Sequence, residues 1–217
     1  TITAGMEADA IAAGLDAMEG VTATASTTVT LSGLSVGTGS VPELDFSVDG
    51  GTTDFTITST NASFADVEAM ATYGNANNAL GLTFVGDNGT GELTVSNATG
   101  ENITVNWTDS GNTDAGASMV GSDGGTVTAL TATQENTVGG VVNITMDNGF
   151  SASTSVDDQF LTSGVTAGDA VESQKVGLAS AADGTASGGN AVATQTLTII
   201  GPDGSDDVVV QGDSSAN

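Results

Sequence analysis

Cysteine and histidine are absent from this chain, and a single basic residue, Lys175, stands against 27 acidic ones. Each absence removes a class of function. Without cysteine there is no disulfide framework, and without cysteine or histidine no metal site built on those ligands. No Ser-His or Cys-His nucleophile pair can be assembled. With one cation, salt bridges cannot hold the fold together. A net charge of −26 repels phosphate, which argues against a nucleic-acid partner and against a membrane surface. Aromatic residues are only 4% of the chain, with one Trp and one Tyr, too few for the aromatic platforms on which glycosidase clefts rely. No apolar run approaches the length of a transmembrane helix.

What is present points to β-structure. Of 217 residues, 38% are hydrophobic, 31 are glycine and 2 are proline. A core of Val, Ile, Leu, Ala and Thr methyl groups, with many turn residues, reads as a β-rich protein and not as a disordered tail. The length suits one large domain or two small ones. The acidity has two readings. One is a solvated surface that prevents association; the other, preferred here, is adaptation to saline surroundings, where screening limits self-repulsion.

The chain opens on a helical signal. Ala8, Ile11, Ala12, Leu15 and Met18 form an apolar stripe narrow enough to lie on one sheet. Glu7 and Asp9 suit the helix start, and Gly20 reads as its C-terminal cap. Residues 21–25 and 28–31 then alternate like two strands of a hairpin. A second unit follows. Leu44-Asp45-Phe46-Ser47-Val48 and Phe55-Thr56-Ile57-Thr58 read as strands around the turn signal Asp49-Gly50-Gly51. Residues 61–74 read as a short helix with Phe64, Val67, Met70 and Ala71 on one face and Ser63 as cap. Residues 80–107 read as a three-stranded meander with turns at Asp87-Asn88-Gly89 and Gly100. The order helix, then Gly-Val-Thr-Ala (Gly20 to Ala23), recurs as helix, then Gly-Leu-Thr-Phe (Gly81 to Phe84), an internal repeat. Near the chain end, strands at 197–200 and 208–210 flank Pro202-Asp203-Gly204, and Gly212 corresponds to Gly5. In between, 124–133, 139–146 and 149–156 read as antiparallel strands, and 168–190 as a short helix or an ordered loop.

These units resemble the IN motif of bacterial flagellins and flagellar hook proteins: a strand hairpin, a short IAxAI helix, then GVTA and a strand. ADAIAAGLDAMEGVTATAS (8–26) matches in Ile11, Ala12, Ala13, Leu15 and from Gly20 to Ala23. ASFADVEAMATYG (62–74), followed by LGLTF and GELTVSNATGENITV, is the second match. Two departures stand out. The Ile-Asn pair that names the motif is Leu15-Asp16 in the first copy and Ala71-Thr72 in the second, and the second copy has a longer path from helix to Gly-Leu-Thr. The resemblance covers 1–107 and weakly 194–217. The long terminal helices of a flagellar core are absent, and position 1 is Thr, so the resemblance implies an outer, solvent-facing piece of a longer flagellin.

The expected fold is α+β, mainly β, with antiparallel hairpin, short-helix and meander units in two lobes. The expected organisation is two IN-like units in 1–107, a β-rich inserted subdomain in 108–193, and a hairpin of a truncated further unit in 194–217. The expected function is structural: the surface of an extracellular flagellar filament, with neighbouring flagellin subunits as partners and surface glycans as a candidate addition. No catalytic, cofactor or metal residue is expected. The alternative is a repeat domain of an acidic cell-surface adhesin. Calcium selectivity would mark that alternative, with Asp203, Asp206 and Asp207 of GPDGSDD (201–207) as first suspects. That segment lacks EF-hand spacing, since the position eleven after Asp203 is Ser214, and it reads as a hairpin turn, as does GDNGTGE (86–92). Trp107 closes an alternating strand and reads as core. Six Asn-x-Ser/Thr sequons, at Asn61, Asn88, Asn97, Asn102, Asn106 and Asn143, are read as the chance product of an Asn- and Thr-rich chain.

Overall fold

The computed structural model describes residues 7–34, 43–48, 55–58, 64–107, 117–122, 126 and 135–147, and the backbone alone of 108, 127, 134, 151–154, 174–177, 195–201 and 204–210. In chain order the elements are α1 (Ala8–Asp16), β1 (Val21–Ser32), β2 (Glu43–Val48), β3 (Phe55–Ile57), α2 (Val67–Asn77), β4 (Thr83–Asp87), β5 (Glu92–Asn97), β6 (Ile103–Thr108), β7 (Ser118–Gly121), β8 (Thr126–Val127), β9 (Gln134–Val138), β10 (Val141–Met146), β11 (Ser151–Thr154), β12 (Gln174–Gly177), β13 (Gln195–Gly201) and β14 (Gly204–Val210). The fold is α+β and mainly β, and every strand pair is antiparallel.

β1 organises the largest sheet. Its residues 21–26 pair with β10, which pairs in turn with β12. Residues 27–31 pair with β5, which carries β4, and residues 29–32 pair with β7, which carries β8. A second sheet runs β3-β2-β6-β9, and a third β11-β13-β14. The alternation along β1 is unbroken: Val21, Ala23, Ala25, Thr27, Val29 and Leu31 are all buried. The hairpin expected over 21–31 is therefore one continuous strand. Nothing between Ala25 and Thr28 supplies a turn conformation, and a straight strand keeps all six side chains on the buried face.

That face is covered in two stretches. α1 lies against β1 and β10 and buries Ala8, Ile11, Ala12 and Leu15 over the first stretch. Full burial of a side chain such as Ile11 or Leu15 contributes about 1.5–3 kcal/mol. The second stretch belongs to the main core, in which Val29, Leu31, Leu93 and Val95 join Leu44, Phe46, Ile103, Val105 and Trp107 of the second sheet. α2 adds Val67, Met70 and Ala71. The aromatics among the described residues gather here. Phe84 meets Phe46 and Phe55 edge-on, with ring centroids 5.3 and 5.7 Å away, and Tyr73 stacks on Phe55 at 6.1 Å and meets Phe64 at 5.3 Å.

Several boundaries differ from expectation. α1 ends at Asp16, and Gly20 lies beyond its cap, at φ 76°, where the chain turns into β1. α2 starts at Val67 with Asp66 as N-cap, its carboxylate accepting from Ala69 N–H at 2.9 Å; Ser63 lies outside the described residues. β4 and β5 form the expected hairpin, but β6 leaves it and pairs with β2 and β9 in the other sheet. Alternation in Ile103-Thr104-Val105 marks a buried face without saying which sheet owns it. In 168–190, residues 174–177 form β12, neither helix nor loop. The β2–β3 and β13–β14 hairpins are as expected. β7, β9 and β10 fall within 108–193, yet they pair with β1 and β6, so the sheets continue across residue 107. The hydrogen bonds that complete these sheets must come from the later segment.

Candidate functional surface

Among the described residues, no three acidic side chains converge as a metal-ligating group. Several carboxylates are engaged by nearby backbone N–H groups or by hydroxyl and amide side chains, while Asp9 Oδ1 is buried without a hydrogen-bond partner. Asp87 Oδ1 accepts from Gly89 N–H at 2.7 Å and Thr90 N–H at 3.4 Å, which makes GDNGTGE a self-closed hairpin turn. Glu101 Oε2 accepts from Asn97 Nδ2 at 3.0 Å and Thr99 Oγ1 at 2.8 Å, and Asn97 Oδ1 accepts from Thr99 N–H at 2.7 Å. This network closes the connection from β5 to β6. Asp203 lies outside the described residues. The backbones of Asp206 and Asp207 sit in β14 opposite Ile199 and Thr198. Trp107 is 2% exposed in the main core, as expected of a packing residue.

The outward face of the large sheet is a field of hydroxyls. Thr28, Ser96 and Thr83 form one cross-strand row, and Thr30, Thr94 and Val85 the next. Thr30 and Thr94 share a hydroxyl hydrogen bond at 3.3 Å, and Ser32 Oγ donates to Glu92 Oε1 at 3.1 Å. On the second sheet, Thr56 donates to Asp45, and Thr104 and Thr137 share a bond at 2.9 Å. These pairs satisfy part of the polar groups on the two faces, and on the large sheet the exposed Val85 and Val120 flank the Thr94 and Thr30 positions.

Sequons are sorted by the same geometry. Asn97 is buried, while Asn106 and Asn143 lie in inner strands of their sheets. Asn88 is exposed at the tip of the β4–β5 hairpin. Asn61 lies outside the described residues.

One device was missed in the sequence. In both units, a polar side chain late in the helix holds the strand that follows. Asp16 Oδ1 accepts from Ala23 N–H at 3.1 Å. Asn75 grips Phe84 from both sides, Oδ1 accepting its N–H and Nδ2 donating to its carbonyl, each at 2.8 Å. Asn78 repeats the grip on Leu82, at 3.1 and 3.2 Å. β4 is the last strand of its sheet, so these amides stand where a neighbouring strand's backbone would, and they close the edge. Further along, the helix backbone at Val67 approaches Gly86 so closely that a Cβ there would strike the Val67 carbonyl. The signal was an Asn or Asp near a helix end, which by itself reads as a cap or a turn.

No helix among the described residues is long and apolar enough to cross a membrane. No known family model matches this chain, and no curated protein matches it.

Proposed function

We propose that this chain is an outer, structural part of a bacterial flagellar filament protein: an extracellular surface domain without catalysis, whose partners are neighbouring flagellin subunits. One observation carries the reading, the physical equivalence of the two sequence units that resemble the IN motif. Gly20 and Gly81 occupy the same place in the repeat and both take positive φ, 76° and 72°. The residues after them follow one pattern: Val21, Thr22, Ala23 and Leu82, Thr83, Phe84 are each buried, exposed, buried. Ala23 and Phe84, again equivalent, both give their N–H to a side chain of the preceding helix, Asp16 and Asn75. On this reading Asn75 plays the part of Asp16, and Gly74-Asn75 takes the position of Leu15-Asp16 that the sequence comparison gives to Ala71-Thr72. The longer helix-to-strand path of the second copy is thereby accommodated.

The hydroxyl face, the closed β4 edge and the net charge of −26 suit a domain that must stay hydrated while held close to copies of itself. Antibodies raised against this chain, applied to the source cells with gold detection, test the proposal. Regular labelling along flagellar filaments is the expected result. Labelling confined to the cell body would replace it with the adhesin reading.

A further inference from the structure

The β4–β5 hairpin carries Asn88-Gly89 at its tip, and the usual reason for that pair is missing. Asn-Gly is favoured in two-residue hairpins because both central residues need positive φ. Here the connection runs over 88–91 and the positive φ falls on Gly91, at 71°, while Gly89 is outside that region. A Cβ added at Gly89 would meet only Asp87 Oδ1, at 3.0 Å, a side-chain atom that needs to give by no more than a few tenths of an ångström. Alanine would serve this turn. What glycine alone supplies at position 89 is an unhindered backbone nitrogen beside an asparagine side chain.

We propose that Asn88 is a site of spontaneous deamidation and that the folded hairpin restrains it. In the reaction, the Gly89 nitrogen loses its proton and attacks Asn88 Cγ. A C–N bond closes a succinimide ring, and the side-chain nitrogen leaves as ammonia. Water then opens the ring at one carbonyl or the other, giving aspartate or isoaspartate. Water is the only co-reactant, and residues 88–90 are exposed to it.

The folded tip keeps the reacting atoms engaged elsewhere. Gly89 N–H donates to Asp87 Oδ1 at 2.7 Å. Asn88 Oδ1 accepts from Glu68 N–H in the first turn of α2 at 3.3 Å. Gly91 N–H closes the turn onto the Asp87 carbonyl at 2.7 Å. Nucleophilic attack requires these bonds to open, so the rate follows the open population of the hairpin tip. Isoaspartate adds a methylene to the backbone of the tip and pulls the side-chain acceptor away from Glu68. The product therefore loosens the clasp between this hairpin and α2.

The test incubates the chain at mildly alkaline pH, native and in concentrated urea. Cleavage after glutamate releases residues 69–92 and 136–172 as separate peptides, which separates Asn88 from the other Asn-Gly pair, at Asn148. Mass change and isoaspartyl methyltransferase labelling then report conversion at Asn88. Native conversion is expected to be about tenfold slower than in urea, or slower still. Asp87→Ala is expected to speed native conversion roughly three- to tenfold, the effect of one hydrogen bond on an opening equilibrium. Gly89→Ala is expected to suppress conversion in both conditions. Equal rates in native and unfolded chains would overturn the proposal, as would a Gly89→Ala variant that converts as fast as the parent. Leu15→Ala, which weakens the fold far from the tip, is the control. If it speeds Asn88 as much as Asp87→Ala does, the restraint is global and the role of the tip falls.

Discussion

Two glycines lie inside helices, and their surroundings give them opposite roles. Gly14 in α1 is exposed, and a Cβ there would meet nothing within 4 Å. Gly74 in α2 is buried, and a Cβ there would lie 2.7 Å from Phe84 Cγ. Gly14→Ala removes only the entropy that a helical glycine loses on folding, so it is expected to stabilise by about 0.5–1 kcal/mol. Gly74→Ala must push the Phe84 ring, and with it the aromatic cluster, for an expected loss of about 1–3 kcal/mol. Urea titration of both variants checks the pair of signs. Thr27 gives a third case. It is fully buried in the middle of β1, and its hydroxyl has no hydrogen-bond partner. Thr27→Val keeps the shape and removes the unsatisfied group, so the urea midpoint is expected to rise by the equivalent of about 1 kcal/mol.

At the scale of elements, the grip of α2 on β4 is the feature whose loss should tell most. Asn75→Ala leaves the N–H and carbonyl of Phe84 unpaired at a sheet edge. The expected cost is about 1–3 kcal/mol, accompanied by concentration-dependent association as the freed edge seeks a strand. Light scattering and urea titration together read both effects; an unchanged monomer of unchanged stability would show that the edge is protected by something else. This element also marks where the sequence stops being legible. The stripe Ala8, Ile11, Ala12, Leu15 and the alternation around Asp87-Asn88-Gly89 could be read directly, because each is a local period with a local partner. Two alternating runs with no turn residue between them form the single strand β1, and alternation by itself does not distinguish that strand from a hairpin. The transfer of β6 to the second sheet was not readable, because burial period fixes a face and leaves the neighbour open. Asp66 and Ser63 are both competent caps by residue type, and the helix uses Asp66. The staples at Asp16 and Asn75 depend on where a strand seven or nine residues later passes the helix, which is tertiary information.

At the scale of the whole molecule, charge decides behaviour. With 27 acidic residues and one lysine, folding concentrates like charges without compensating pairs. The melting temperature is therefore expected to rise from low salt to about 0.5 M NaCl, where the screening length falls to a few ångströms; a flat profile would remove the stability basis for the saline reading. The same repulsion bears on assembly. Two copies approaching in dilute buffer repel each other, the β4 edge is closed by α2, and Thr30 and Thr94 on the outward face are hydrogen-bonded to each other. Charge supplies no driving force for association, and neither does the backbone at the β4 edge. In a filament, neighbouring copies would be brought together by the polymer core at high effective concentration, and contacts between them need not be strong on their own. The isolated chain is thus expected to sediment as a monomer at micromolar concentration in moderate salt, with weak self-contact emerging only as salt and concentration rise together. Sedimentation velocity across a salt series checks this. A stable dimer or polymer already present at low salt would mean that this region itself drives assembly against its own charge, and its role as a passive filament surface would have to be given up.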